Sequence, residues 1–68
     1  MMAAGGEGKP EIYIEFVVKA GLVKATAIDS ATGTEASVFG PVTAPREALT
    51  RNAFAKLAYV LKKQKGGT

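Results

Sequence analysis

Residues Glu11 to Lys19 read EIYIEFVVK, and their side chains alternate so regularly that only an extended backbone sorts them by character. Successive side chains of a strand point to opposite faces. Ile12, Ile14, Phe16 and Val18 therefore share one face, and Glu11, Tyr13, Glu15, Val17 and Lys19 share the other. Ala20-Gly21 follows as a tight turn, since glycine accepts the positive φ that a short hairpin loop demands. Leu22 to Asp29 returns as a second strand, Ser30 to Gly33 turns the chain again, and Thr34 to Gly40 makes a third strand.

Loop parity decides which faces meet, because a slip of one residue turns a strand's whole apolar set to the wrong side. A two-residue loop at Ala20-Gly21 sets Val18 opposite Val23, Phe16 opposite Ala25 and Ile14 opposite Ala27. A four-residue loop, Val18 to Gly21, shifts these pairs and keeps the faces, whereas an odd length exchanges them. Between the second and third strands, a four-residue loop from Ser30 to Gly33 sets Ala27 opposite Ala36 and Ala25 opposite Val38. Both hairpins then agree on one inner face. The middle strand offers only Val23, Ala25 and Ala27 there, so a bulky neighbour has to approach closely to fill a core.

That neighbour is a helix. GPVTAPREAL carries its start signals: Thr43 as N-cap, Pro45 in the first turn, and Glu47 at the positive end of the dipole. No glycine or proline interrupts the chain from there to Lys63. Leu49, Ala53, Phe54, Leu57, Val60 and Leu61 fall along one arc, with Arg51, Asn52, Lys56, Tyr59, Lys62 and Lys63 on the other side. The expected fold class is α+β, a three-stranded antiparallel meander followed by one C-terminal α-helix packed on one sheet face (βββα). Residues 11–63 form the single domain, residues 1–10 a flexible N-terminal arm and residues 64–68 a flexible C-terminal tail.

A chain of 68 residues buries only about 60% of its unfolded surface, so its core needs support from elsewhere. The sequence has no cysteine and no histidine, which removes disulfides, thiol nucleophiles, histidine bases and the usual zinc sites. Self-association or a partner is the remaining support. No cofactor and no metal is expected, and the chain reads as non-enzymatic. MMAAGGEGKP has no apolar core of a secretory signal, and no stretch approaches the roughly 20 apolar residues of a membrane helix. The expected location is the cytoplasm.

Two surfaces are candidates for function. On the outer sheet face, away from the helix, Tyr13, Val17, Ile28 and Phe39 accompany Leu22, among Glu15, Lys24, Thr26, Glu35 and Ser37. An apolar patch of this kind marks an interaction surface, with a second copy or an unidentified protein as partner. The plainer reading puts Leu22 and Phe39 at strand ends beneath loops or the terminal arm. The alternative surface is basic: Arg46, Arg51, Lys56, Lys62 and Lys63 on the helix are placed to meet the phosphates of a nucleic acid, consistent with a net charge of +3. Against it stands a merely solvated face, with late lysines complementing the helix dipole. Glu11, Glu15, Asp29, Glu35 and Glu47 show no tight carboxylate pair, and Asp29 and Ser30 read as turn formers.

The run AIDSATGTEASVFGP, with APREALTRNAFAKLAYVL after it, resembles a family of short alphaproteobacterial proteins classed as a domain of unknown function. The resemblance spans Glu11 to Lys63 and is densest at Ala27 to Gly33, at Pro45-Arg46-Glu47 and at Lys56 to Leu61. It implies no activity and no binding residue. In element order the chain is also similar to the C-terminal part of double-stranded RNA-binding domains and to small βββα DNA-binding modules, and Asn52 to Ala58 resembles the alanine-rich helix of the former. Those domains open their last helix with a lysine cluster, where this chain has Pro45-Arg46-Glu47.

Overall fold

The computed structural model describes residues 11–66. The expected N-terminal arm, residues 1–10, lies outside the described residues, as do residues 67 and 68. Strands β1 (Ile12–Lys19), β2 (Leu22–Asp29) and β3 (Glu35–Pro41) precede one helix, α1 (Arg46–Gly66). The strands form an antiparallel three-stranded sheet in chain order, with β2 in the middle. The fold class is thus the expected βββα arrangement.

Register follows loop length as the alternation requires. Val18 faces Val23, Phe16 faces Ala25 and Ile14 faces Ala27 across the first hairpin. Ala27 faces Ala36 and Ala25 faces Val38 across the second. Ala20 and Gly21 both adopt positive φ, 52° and 81°, the signature of a two-residue turn whose twist matches the flanking strands. In the second loop the Asp29 N–H donates to the Thr34 carbonyl at 2.9 Å and the Gly33 N–H to the Asp29 carbonyl at 2.8 Å. Thr34 therefore belongs to the loop closure, and β3 begins at Glu35.

The helix differs from expectation at both ends. Its first carbonyl acceptor is that of Pro45, which receives the N–H groups of Ala48 at 3.1 Å and Leu49 at 3.3 Å. Pro45 is consequently the N-cap and Thr43 is not. The Ala44 N–H bonds the Pro41 carbonyl at 2.9 Å, so Thr43 is spent inside a turn that carries the chain from sheet to helix. At the other end α1 runs past Lys63 to Gly66, and the Thr34 hydroxyl donates to the Gln64 side-chain carbonyl at 3.2 Å. Residues 64–66 are helix and not tail.

The core consists of Val23, Ala25, Ala27, Ala36, Leu49, Ala53 and Leu57, with Ile14, Val38, Ala44, Val60 and Leu61 packed at its border. Helix α1 lies over β2 and β3. The reason is size: Ala25, Ala27, Ala36, Gly40 and Ala53 let backbone approach backbone, whereas Ile12, Phe16 and Val18 of β1 would hold the helix off. The apolar arc of α1 therefore does not cover the whole sheet, as the helix pattern alone implies. Ile12, Phe16 and Val18, together with Phe54 of the helix, stay exposed beside it.

Candidate interaction surfaces

Register arranges the outer face in rows that cross the sheet. Tyr13, Ile28 and Glu35 form one row, Glu15, Thr26 and Ser37 the next, Val17, Lys24 and Phe39 the third, and Lys19, Leu22 and Pro41 the last. The second row is polar throughout, and the Thr26 and Ser37 hydroxyls hydrogen-bond each other at 2.8 Å. The four residues singled out in the sequence are thereby divided. Tyr13 and Ile28 lie together at one end of the face, while Val17 and Phe39 lie at the other, on either side of Lys24.

The end with Val17 and Phe39 is the more developed. Val17, Leu22 and Phe39 surround a shallow hollow of about 440 Å³ whose remaining walls are Lys19, Ala20 and Lys24. Phe39 is 66% exposed, so no loop among the described residues shelters it, and Leu22 is likewise open. At the opposite end Tyr13 is 52% exposed, and its hydroxyl donates to a Glu11 carboxylate oxygen at 2.7 Å. That hydrogen bond, the negative charge beside it and slight desolvation raise the Tyr13 phenol above its ordinary value of 10.0.

A second apolar surface escapes the sequence pattern. On the helix side of β1, Val18 is 55% and Phe16 38% exposed, while the side chains of Tyr13 and Val17 are open on the reverse. β1 thus carries open apolar side chains on both faces, with Ile14 the one packed at the core border. The signal was the bulk of its inner side chains beside the small ones of β2 and β3, which decides where a helix can settle. Among the described residues the outer backbone edge of β1 is unpaired as well. The Glu11 carbonyl accepts from the Ser30 N–H at 3.0 Å and the Glu11 N–H donates to Ser30 Oγ at 3.1 Å, so Glu11 faces β2. Strand alternation then turns the N–H and C=O groups of Ile12, Ile14, Phe16 and Val18 toward the outer edge, where no described strand pairs with them.

The five helix cations do not converge. The Arg46 guanidinium lies over the Phe16 ring, 5.4 Å from its centroid. Lys56 donates to the Ser37 carbonyl at 2.8 Å, which aims it at the β3 edge and off the solvent ridge expected for it. Lys63 stands over the Tyr59 ring at 5.7 Å. Arg51 and Lys62 project from the side of α1 away from the sheet, exposed. Among the described residues no three His, Cys, Asp or Glu side chains gather as a metal would need, and no helix is long and apolar enough to cross a membrane.

Fold and surface together define a small βββα domain with open apolar areas on both sheet faces. The chain belongs to the DUF6898 family, described as a domain of unknown function, whose model matches residues 9–64. No curated protein and no solved structure matches it.

Proposed function

We propose that this domain is a small non-enzymatic interaction module of the bacterial cytoplasm, of the alphaproteobacterial kind its sequence resembles, acting by burial of its outer sheet face against a protein surface. The observation that carries the reading is the hollow formed by Val17, Leu22 and Phe39, three open apolar side chains around one concavity with Lys19 and Lys24 at its rim. Apolar surface contributes roughly 25 cal/mol for each Å² removed from water, so a large aromatic on such a surface has the character of an interface anchor. The lysines set the rim charge and favour a partner with acidic groups around an apolar centre. A second copy meets that description, because Glu11, Glu15 and Glu35 flank the opposite end of the same face.

Sedimentation equilibrium of the wild type and of Phe39→Glu tests it. Association through the outer face that weakens at least tenfold in Phe39→Glu, with the far-ultraviolet spectrum unchanged, is the expected result. A wild type that stays monomeric at millimolar concentration, with Val17 and Phe39 side-chain signals unperturbed in cell extract, would refute it. In the same preparations, binding of duplex or single-stranded nucleic acid that falls steeply with salt and with Arg51→Glu plus Lys62→Glu would transfer the function to the basic helix.

A further inference from the structure

We infer that β1 is the pairing strand of a two-fold dimer, in which Glu11 to Lys19 of one copy runs antiparallel to Glu11 to Lys19 of another and the two sheets join into one of six strands. The occupant of the open edge is a second copy of this chain. Three observations point to it: the outward N–H and C=O groups of Ile12, Ile14, Phe16 and Val18, the apolar side chains on both faces of the strand, and the opposite charges at its two ends. An open, apolar edge of this length is a template for strand addition unless something blunts it.

The edge itself restricts the register. Hydrogen-bonded pairs form only between residues whose backbone groups point outward, so even-numbered residues must meet even-numbered ones. Among such registers, the one centred on Glu15 pairs every residue of the strand. It places Ile12 opposite Val18, Ile14 opposite Phe16 and Tyr13 opposite Val17, and it sets Glu11 against Lys19 at both ends. Slipping the centre to Ile14 or Phe16 loses both of these ion pairs. The one unfavourable meeting is Glu15 with its own copy on the axis, where like charges oppose association.

This arrangement has a consequence for the outer face. Within one chain the Glu15, Thr26, Ser37 row divides Tyr13 and Ile28 from Val17 and Phe39. Across the two-fold axis, Tyr13 of each copy adjoins Val17 of the other, and the divided halves become two continuous apolar bands. On the helix side, Ile12, Phe16 and Val18 of both copies line one trough between two helices. The pairing deepens the interaction reading and rests on it for its purpose, but the edge and the outer face are separately measurable.

Because the chain has no cysteine, single introduced thiols report the pairing directly. Residues directly opposite across antiparallel strands have Cα atoms about 4.5–5.5 Å apart, within the range a disulfide spans. Mild oxidation of an equimolar mixture of Ile12→Cys and Val18→Cys should give the mixed disulfide dimer, while each variant alone forms no disulfide-linked dimer. Both positions lie on the helix side, so association through the outer face does not produce this product. Phe39→Glu added to either variant should leave the cross-link intact. Glu15→Gln should tighten the dimer by about two- to five-fold by removing the axial repulsion, and Val18→Pro should weaken it by deleting an outward donor that β2 does not use. Self-disulfides of Ile14→Cys or Phe16→Cys alone would overturn the register. No disulfide in any of these variants, with each folded by circular dichroism, would overturn the edge pairing while leaving the Phe39→Glu result to judge the outer face.

Discussion

Gly40 lies under Leu49 so closely that a Cβ built on the glycine would stand 2.7 Å from Leu49 Cδ2 and 3.6 Å from Leu49 Cγ. Leu49 is itself buried in the first turn-and-a-half of the helix, among the core side chains, and has little room to swing away. Gly40 faces Val23 on the inner side of the sheet, so this contact sets how deeply α1 seats on β3. Gly40→Ala should destabilise the domain by roughly 1–3 kcal/mol, the usual range for overpacking. Urea unfolding checks this, with the midpoint lowered and the slope retained. Gly40→Ala and Leu49→Ala should be non-additive, the double variant losing less than the sum of the two single losses, since the second change removes the clashing atoms.

Ala20 carries a φ of 52° at the first turn position, a region that costs an alanine about 1 kcal/mol or more relative to a residue at ease there. Ala20→Asn and Ala20→Gly should each stabilise the domain, asparagine by about 1 kcal/mol and glycine by less, because glycine also loosens the unfolded chain. Thermal unfolding of the two variants beside the wild type measures it. A lowered midpoint for Ala20→Asn would mean that the turn is of another type.

Much of this architecture was legible because it depends on local rules. The alternation from Ile12 to Lys19 and the glycines at positions 21 and 33 set strand faces and loop parity, and the register at Val18–Val23 and Ala27–Ala36 follows from those alone. What sequence periodicity did not disclose was the lateral position of the helix. The arc on α1 specifies which side of the helix is apolar but not which strands it meets. That choice belongs to Gly40, Ala36 and Ala53, whose smallness matters only once they face one another. The candidate surface suffered similarly: Tyr13, Val17, Ile28 and Phe39 all lie on the outer face as expected, yet the Thr26–Ser37 hydrogen bond and the Glu15 row separate them. Thr43 illustrates a competing local rule, since the Pro41–Ala44 turn occupies it before it can cap the helix.

Tyr13 offers a titration that reads one contact. Its phenol is raised above 10.0 chiefly by the hydrogen bond to Glu11, then by the charge of that carboxylate. The phenol is neutral when protonated, so a raised value means that the folded state holds this proton more tightly than the unfolded one. Stability from the contact is therefore present below the ordinary phenol range and is lost as pH rises through the folded value. Glu11→Gln in a Tyr59→Phe background should return the tyrosinate absorbance titration toward 10.0. The contact is exposed, and the expected effect on the unfolding midpoint at neutral pH is correspondingly slight.

Asp29 is the residue on which the second loop turns. It is nearly fully buried, one carboxylate oxygen accepts the Ala31 N–H at 3.1 Å, and the other accepts the Thr32 hydroxyl at 3.0 Å. Its backbone carbonyl takes the Gly33 N–H, so side chain and main chain together fold the four residues from Ser30 to Gly33 back on themselves. Asp29→Ala removes the acceptor of both the exposed Ala31 N–H and the Thr32 hydroxyl and should cost about 0.5–1.5 kcal/mol. Asp29→Asn keeps one acceptor of the same reach and should cost less, because the Thr32 hydroxyl can rotate to accept from the new amide. Loop parity also depends on this closure, and with it the face that β3 turns to the helix. Amide exchange should therefore quicken in Asp29→Ala at Ala36 and Val38 as well as at Gly33. Faster exchange confined to Gly33 would show that the pairing of β2 with β3 holds its register without the loop.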